Sequence, residues 1–376
     1  LLWWMSCWPE TLAFMHACGR PQEAQRQRLR SILTQAQGSE FARRHSLRCD
    51  DDFDAYRAKV GLHNYGDFAS DLDKICDGEE RVLTCSPIRL LEPTSGTHGS
   101  KLIPYTVALK HEFQRGICAW VGNLFARRPA ILGGPHFWSI TPPMGPRQRT
   151  RGGLPIGFED DSGYLSSWAG RLVRSLMAVP GSVLEESDYL GATLRHLVAC
   201  PQLRMVSVWS PTYWLLLLQR LQRDYGLRPE QAWPKLACLS CWGDGYSERY
   251  LEPLMQAHPQ VWIQKKGLIA TEGLVTIPWV GQPGALLALR SHFYEFLDEG
   301  GRSHLAHQLQ PGQTYSVVLT TGGGLYRYRL GDQVRVVGYW RDCPSFCFVG
   351  RQQELADRFG EKICPSSIRL PQGLAW

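Results

Sequence analysis

The stretch Tyr-Arg-Tyr-Arg-Leu-Gly-Asp at residues 326–332 lies between two runs, 315–320 and 333–340, that are rich in β-branched and aromatic residues. Such runs are typical of strands. The glycine triplet before the stretch and the Gly-Asp pair that ends it predict turns. We therefore predict a strand-turn-strand arrangement here and a last third of the chain that is mainly strand.

Upstream of this region, apolar residues recur at helical spacing. Residues 80–84 are expected to form a short strand, and 133–163, rich in Gly, Pro and charge, a long surface loop or a pair of loops. The predicted helices are 21–37, a segment around 52–60, 109–125 and 211–225. Helices that alternate with strands indicate the α/β class, and residues 1–90 are expected to be mainly helical.

Charge and composition exclude several classes of protein. The 41 basic and 35 acidic residues give a net charge of +6 without a run of like charges, so nucleic-acid binding is not expected. The longest apolar runs, such as Tyr213 to Leu218, are far shorter than the roughly 20 residues of a bilayer span, so no membrane partner is expected. The start lacks a cationic leader and a cleavage site. The twelve irregularly spaced cysteines are expected to be reduced thiols of a cytoplasmic protein.

A glycine-rich loop that could carry chemistry occupies residues 91–101, Leu-Glu-Pro-Thr-Ser-Gly-Thr-His-Gly-Ser-Lys. Its hydroxyl and backbone N–H groups can donate to phosphate oxygens, its glycines remove Cβ obstruction, and Lys101 adds a positive charge. The loop is not a Walker motif, because four residues do not separate its glycines. From these residues alone, phosphate binding and an ordinary Gly/Ser turn are equal alternatives.

Other reactive patterns are weaker. Cys238 and Cys241 have the spacing of zinc ligands, but no second pair follows nearby, so a structural zinc site is not expected. His111 and Glu112 lack the second histidine of a metalloprotease helix, and no Gly-x-Ser-x-Gly motif occurs. A hydrolase is therefore not indicated.

Three segments together resemble the auxin-responsive GH-three family of acyl acid–amido synthetases, which belongs to the adenylate-forming superfamily. The loop 94–101, followed by Leu-Ile-Pro-Tyr-Thr, is similar to the phosphate loop of that superfamily. The segment 267–273, with Ala-Thr-Glu at its core, is similar to the aromatic-(Gly/Ala)-x-(Ser/Thr)-Glu signature. The stretch 326–332 is similar to the family's Tyr-Arg-Tyr-Arg-(Val/Leu)-Gly-Asp motif and is the most specific match. The segments occur in the family's order, and the resemblance covers roughly residues 20 to 363.

The resemblance implies the fold. It is the large N-terminal domain of the adenylate-forming fold, as in acyl-CoA synthetases and luciferases, with helices that flank β-sheets and a distorted β-barrel toward its end. Residues 1–362 would form this domain, and 363–376 would be a hinge remnant. The C-terminal domain that family members carry beyond the hinge is expected to be absent.

The resemblance also implies the reaction and its residues. A small or aromatic carboxylic acid would be adenylated by ATP with Mg²⁺, and its acyl group passed to an amine, in the family an amino acid. Lys101 and Glu272 would be catalytic, with Glu272 as the magnesium ligand. The implied nucleotide-binding residues are Thr94, Ser95, Gly96, Thr97, His98, Gly99 and Thr271, with Asp332 and Arg351 at the ribose. Trp120, Val208 and Trp209 are candidates for the acyl pocket.

The sequence also departs from the family pattern. Only Ser100 separates Gly99 from Lys101, where the superfamily loop has one more residue; His98 replaces Ser or Thr, and Leu268 replaces an aromatic residue. Two alternatives therefore stay open. The chain could be a nucleotide-binding remnant without turnover, or an adenylating enzyme that uses coenzyme A as the acceptor.

Overall fold

The computed structural model describes residues 2–94, 101–139, 148–157 and 177–351. The helices are α1 (Leu2–Ala17), α2 (Pro21–Ala36), α3 (Glu40–Arg44), α4 (Phe53–Lys59), α5 (Ala69–Cys76), α6 (Val107–Arg127), α7 (Tyr189–Val198), α8 (Pro211–Tyr225), α9 (Pro229–Ala232) and α10 (Leu251–Ala257). The strands up to the middle of the chain are β1 (Ile88–Pro93), β2 (Leu102–Thr106), β3 (His136–Trp138), β4 (Gln148–Arg149), β5 (Pro155–Ile156), β6 (Met205–Ser207), β7 (Cys238–Cys241) and β8 (Trp262–Lys265). The later strands are β9 (Ile269–Ala270), β10 (Gly273–Leu274), β11 (Thr276–Pro278), β12 (Ala285–Leu287), β13 (Phe293–Leu297), β14 (Ser303–His304), β15 (Thr314–Thr320), β16 (Tyr328–Trp340) and β17 (Cys343–Arg351).

These strands form four sheets. A parallel sheet has the order β3-β6-β7-β8, and a seven-stranded antiparallel sheet has the order β11-β12-β17-β16-β15-β13-β14. A smaller sheet has the order β2-β1-β5-β4, and β9 pairs with β10 as a hairpin. The α/β class is confirmed. Among the described strands no pairing joins β11 to β14, so where a distorted barrel was expected there is an open sheet.

Two apolar cores hold these layers together. The larger core lies between the N-terminal helices, α6 and the antiparallel sheet. The smaller core lies between the parallel sheet and helices α7, α8 and α10. None of the helices in the described ranges combines the length and the hydropathy that a bilayer crossing requires.

The predicted helices are confirmed, and their ends follow local chemistry. The Asp52 side chain accepts from the Ala55 N–H at the start of α4, and the Thr106 hydroxyl accepts from the Leu109 N–H at the start of α6. Gly226 ends α8 with a φ of +65°, a conformation that glycine adopts without strain. Helices α1 to α5 all lie within residues 1–90.

Two predictions about strands are wrong because tertiary contacts replace local preference. Residues 80–84 form no strand: Arg81 has a φ of +57°, and the carbonyl oxygens of Arg81 and Val82 accept from the first N–H groups of α3. The segment 133–163 is not only loop, since β3, β4 and β5 lie within it. Short strands of two or three residues carry too little periodicity to be recognised in a sequence.

The sequence predicts a turn between two strands at the Gly-Asp pair 331–332, but the structure has no turn there. Strand β16 runs through it from Tyr328 to Trp340. Gly331 has a φ of +86°, and the register between β15 and β16 shifts around it, since Ser316 pairs with Gln333 and Val318 pairs with Arg329. This irregularity is a β-bulge, which bends a strand and redirects side chains without ending it.

Helix α1, which the sequence did not predict, packs directly on α6 through Gly122. The Trp4 indole N–H donates to the Gly122 carbonyl oxygen at 3.2 Å, and the Thr11 hydroxyl donates to the Cys118 carbonyl oxygen at 3.3 Å. A Cβ atom at position 122 would overlap the Thr11 hydroxyl oxygen. The absence of a side chain at Gly122 therefore lets the two helices approach.

Replacing Gly122 with Ala should separate α1 from α6. We expect a loss of about 1–3 kcal/mol in the free energy of unfolding, the usual range for overpacking, measured by chemical denaturation. The double variant Gly122→Ala/Thr11→Ala should recover most of this loss. Gly66→Ala is the control, because no atom lies within 4 Å of its Cβ position. An unchanged stability of Gly122→Ala would contradict the close packing of α1.

Candidate functional site

Within the loop at 91–101, Thr94 and Lys101 are joined by two hydrogen bonds. The Thr94 N–H donates to the Lys101 carbonyl oxygen at 2.8 Å, and the Lys101 N–H donates to the Thr94 hydroxyl oxygen at 3.3 Å. The next amide, that of Leu102, donates to the Tyr65 hydroxyl oxygen at 2.7 Å. These bonds fix Lys101 at the start of β2. The other predicted phosphate-loop residues lie outside the described residues: Ser95, Gly96, Thr97, His98 and Gly99.

Lys101 and Glu272 are joined by a tyrosine. The Lys101 ammonium group donates to the Tyr328 hydroxyl oxygen at 3.1 Å, and that hydroxyl donates to Glu272 Oε1 at 3.2 Å. Lys101 Nζ also lies 5.6 Å from the ring centroid of Tyr65 and 5.8 Å from that of Tyr328. The structure thus brings the two predicted catalytic residues, 171 positions apart in the sequence, into one hydrogen-bonded chain.

Tyr328 belongs to the 326–332 stretch, but no pattern in the sequence singles out its hydroxyl group. Burial, together with the neighbouring Glu272 carboxylate, raises the pKa of the Tyr328 phenol well above its ordinary value. The phenol therefore keeps its proton and can donate to Glu272. The sequence signal that was available is the position of Tyr328 inside the motif stretch, at the first residue of β16.

Thr271 and Glu272 form the tip of the β9–β10 hairpin. The Tyr105 hydroxyl donates to the Thr271 carbonyl oxygen at 2.9 Å, which anchors the tip to β2. Glu272 is buried. The predicted nucleotide-binding residue Thr271 therefore lies beside Glu272. The Thr271 carbonyl oxygen already accepts the hydrogen bond that holds the hairpin against β2.

Asp332 and Arg351, predicted together at the ribose, are neighbours. They face each other across β16 and β17, and Arg351 Nε donates to Asp332 Oδ1 at 2.9 Å. The Asp332 side chain is only 2% exposed, whereas that of Arg351 is 52% exposed. A buried carboxylate with a half-exposed cation at the rim suits a ligand that bears hydroxyl groups.

Glu112 is a residue whose role the sequence does not indicate, since in the sequence it only forms half of a metalloprotease pattern with His111. Its buried carboxylate accepts from Arg28 at 2.9 Å, from His292 Nδ1 at 2.8 Å and from the Gly322 N–H at 3.0 and 3.1 Å. The Leu274 N–H donates to His292 Nε2 at 3.0 Å, so the imidazole proton lies on Nδ1. This network ties α6 and α2 to the strand after Glu272 and to the loop before the 326–332 stretch.

The three acyl-pocket candidates separate into two groups. The rings of Trp120 and Trp209 both lie near the ammonium group of Lys266, at 5.7 and 4.5 Å from their centroids. Val208 instead packs in the core between the parallel sheet and its helices. Trp209 also contacts Trp242, with ring centroids 5.6 Å apart.

Comparison with known proteins links the site to a family. The profiles described as the GH3 family N-terminal domain and the GH3 family central domain match residues 12–226 and 285–351. The chain is 55% identical over 42 residues to the indole-3-acetic acid-amido synthetase GH3.15 of Arabidopsis thaliana, a segment that spans 11% of this chain and 7% of that relative. It is 22% identical over 426 residues to the jasmonoyl-L-amino acid synthetase JAR6 of Nicotiana attenuata, covering 92% of this chain and 72% of that relative.

The fold is shared with a solved structure as well. The AtGH3.15 acyl acid amido synthetase in complex with 2,4-DB superposes with a TM-score of 0.78 at 18% identity, covering 91% of this chain and 70% of the other. The expected similarity to the adenylate-forming fold is thereby confirmed.

The Glu112 network should control stability in a pH-dependent way. Burial raises the pKa of the Glu112 carboxyl group, but the hydrogen bond from His292 and the charge of Arg28 outweigh burial and lower that pKa below its ordinary value. A carboxyl group whose pKa is lowered by folding stabilises the protein above its unfolded-state pKa of about 4.3, and this stabilisation is lost as pH falls through the lower folded-state pKa.

We expect Glu112→Gln to lower the free energy of unfolding by about 3–5 kcal/mol at neutral pH, because it leaves the buried Arg28 charge unpaired. The difference from the parent protein should shrink as the pH is lowered below about 4. Glu10→Gln is the matched control: Glu10 pairs with Arg290 near the surface, and its loss should cost less than about 1 kcal/mol. Denaturant titrations at several pH values measure both variants. A constant difference across the pH range would contradict the lowered pKa of Glu112.

Proposed function

Because this chain belongs to the GH3 family, we propose that it activates a small or aromatic carboxylic acid with ATP and passes the acyl group to an amine. The observation that supports this most directly is the hydrogen-bonded chain Lys101–Tyr328–Glu272. It joins one residue from each of the three motif segments. Residues 1–362 would then be the adenylation domain.

The proposed reaction has two steps. A carboxylate oxygen of the acid attacks the α-phosphorus of ATP, a bond from oxygen to phosphorus forms, and pyrophosphate leaves. The amine nitrogen, an amino acid's α-amino group by analogy with the relatives, then attacks the acyl carbon, AMP leaves, and the nitrogen loses a proton. The protein must mainly hold two anions together and offset their charge.

The residues divide this work by their chemistry. Lys101 would turn from the Tyr328 hydroxyl toward phosphate oxygens, which attract its charge more strongly than a neutral phenol does. The loop residues Thr94 to Gly99 would add hydroxyl and N–H donors, and Thr271 would lie beside the nucleotide. The carboxylate of Asp332 would accept from the ribose hydroxyls, with Arg351 at the rim.

Glu272 is the residue that we propose for magnesium. In the described part of the chain, no cluster of three His, Cys, Asp or Glu side chains could hold a metal ion. One carboxylate fits magnesium only when phosphates supply further oxygens, which is the usual arrangement for this ion. Bound there, magnesium would neutralise charge on the phosphates.

We also propose a cytoplasmic, reducing location and place the acid near Trp120, Val208 and Trp209. The location is supported by the cysteines of the described residues, all of which are free thiols. The acid's position is supported by Trp120 and Trp209, which lie around Lys266, whereas Val208 packs in the core between the parallel sheet and its helices.

Acid-dependent exchange of labelled pyrophosphate into ATP tests the first step. We expect exchange with at least one acid of an aromatic and aliphatic panel, and amide formation when amino acids are added. ATP binding without exchange would indicate a nucleotide-binding remnant. Thioester formation with coenzyme A, and no amide, would indicate a ligase that uses a thiol acceptor.

Asp332 provides a single-residue test. Asp332→Asn retains the side-chain shape but removes charge-assisted hydrogen bonds to the ribose, worth about 1.5–3 kcal/mol. ATP affinity measured by calorimetry should therefore fall about tenfold to a hundredfold. The control is Asp298→Asn, which removes a partly exposed carboxylate that pairs with His304. Normal ATP binding by Asp332→Asn, with lowered thermal stability alone, would assign Asp332 a purely structural role.

A further inference from the structure

A buried lysine lies inside an enclosure of indole rings. Lys266 Nζ is 4.5 Å from the ring centroid of Trp209, 5.7 Å from that of Trp120 and 5.9 Å from that of Trp138. Its ammonium group donates to the Ser207 hydroxyl oxygen at 2.8 Å, and the residue is only 5% exposed. The faces of aromatic rings attract a cation, so the enclosure holds this charge in place.

The enclosure lies where a ligand is expected in this type of sheet. Trp138 is the last residue of β3, Trp209 follows β6 and Lys266 follows β8, all in the parallel sheet. Ligands of open α/β sheets bind outside the carboxyl ends of the strands. Trp138 and Trp209 are only half-buried, so the enclosure reaches the protein surface.

Two further buried donors lie in the same region. Gln264 Oε1 accepts from the Trp120 indole N–H at 3.0 Å and from the Ser240 hydroxyl at 3.2 Å, which fixes the orientation of the amide. The Gln264 amide nitrogen and the Trp138 indole nitrogen are buried and have no hydrogen-bond partner within the described ranges. A buried donor left without an acceptor destabilises the structure that holds it. Both groups would therefore gain from a ligand that brings acceptors.

We propose that this cluster is a subsite for a second carboxylate on the acid substrate, so that the preferred substrates are dicarboxylic acids with an apolar or aromatic body. We call it the Lys266 cluster; its members are Lys266, Ser207, Gln264, Trp120, Trp138 and Trp209. One carboxylate reacts with ATP, and the other binds the ammonium group and the two N–H donors. The proposal rests on the proposed function for the role of the first carboxylate.

Calorimetric binding of matched acids, without ATP, tests the subsite. The pairs are 4-methylbenzoate with terephthalate and hexanoate with adipate, which differ mainly in the second carboxylate. We expect the protein to bind the diacid of at least one pair tenfold or more tightly than its partner. Lys266→Met should reduce this preference to less than twofold, and Trp138→Phe, which keeps a ring but removes the N–H, should reduce it severalfold.

Two control variants test whether the preference for diacids depends on the positive charge at position 266. Lys266→Arg keeps the charge and should keep a preference for the diacid, which covers the case in which Lys266→Met fails to fold. Lys265→Met removes the neighbouring, more exposed lysine, which pairs with Asp244, and should leave the preference unchanged.

Equal binding of monoacids and diacids by the parent protein would overturn the proposal. An equal loss of affinity for the monoacid and the diacid in Lys266→Met would also overturn it, since Lys266 would then contact the reacting carboxylate. Pyrophosphate exchange distinguishes the subsite hypothesis from the adenylation hypothesis. A Lys266-dependent preference for diacids without exchange supports the subsite and contradicts adenylation, whereas exchange with monoacids and no preference supports adenylation and contradicts the subsite.

Discussion

The buried carboxylate of Glu112 is the interaction on which the arrangement of the site depends. A charge in the interior is tolerated only when its partners are complete, and here Arg28, His292 and the Gly322 N–H complete them. Each partner comes from a different segment of the chain. The carboxylate therefore sets the positions of α2, α6, the hairpin that carries Glu272 and the loop that leads into β16.

A second buried ion pair sets the direction of the 326–332 stretch. The Arg327 guanidinium group donates to the Glu295 carboxylate at 2.8 to 3.2 Å and to the Val60 carbonyl oxygen at 2.8 Å. Arg327 has a φ of +46°, a conformation that costs energy for a residue with a side chain. The ion pair holds Arg327 in that conformation, and the chain then enters β16 with Tyr328 directed at Glu272 and Lys101.

The chain Lys101–Tyr328–Glu272 therefore joins three elements of the fold. Lys101 comes from the small sheet, Glu272 from the hairpin and Tyr328 from the large antiparallel sheet, while the Lys266 cluster lies at the edge of the parallel sheet. A ligand that contacts Lys101, Glu272 and Tyr328 bridges elements whose relative positions are fixed by buried charge. Because interiors are close-packed, such fixed positions need not be reorganised when substrates bind.

The sequence by itself determined the α/β class, the long helices 21–37, 109–125 and 211–225, and the motif residues Lys101, Glu272 and Asp332, since periodicity and short motifs are local properties of a chain. It did not determine the bulge at Gly331, the loss of a strand at 80–84, or the roles of Glu112, Tyr328 and Lys266. The bulge depends on the pairing of β16 with neighbouring strands, and the other features depend on partners more than 30 residues away: Glu112, for example, contacts residues at positions 28, 292 and 322. A buried charge needs all of its hydrogen-bond partners, because desolvation makes every missing partner costly. When those partners are so distant in the sequence, only the folded chain brings them together.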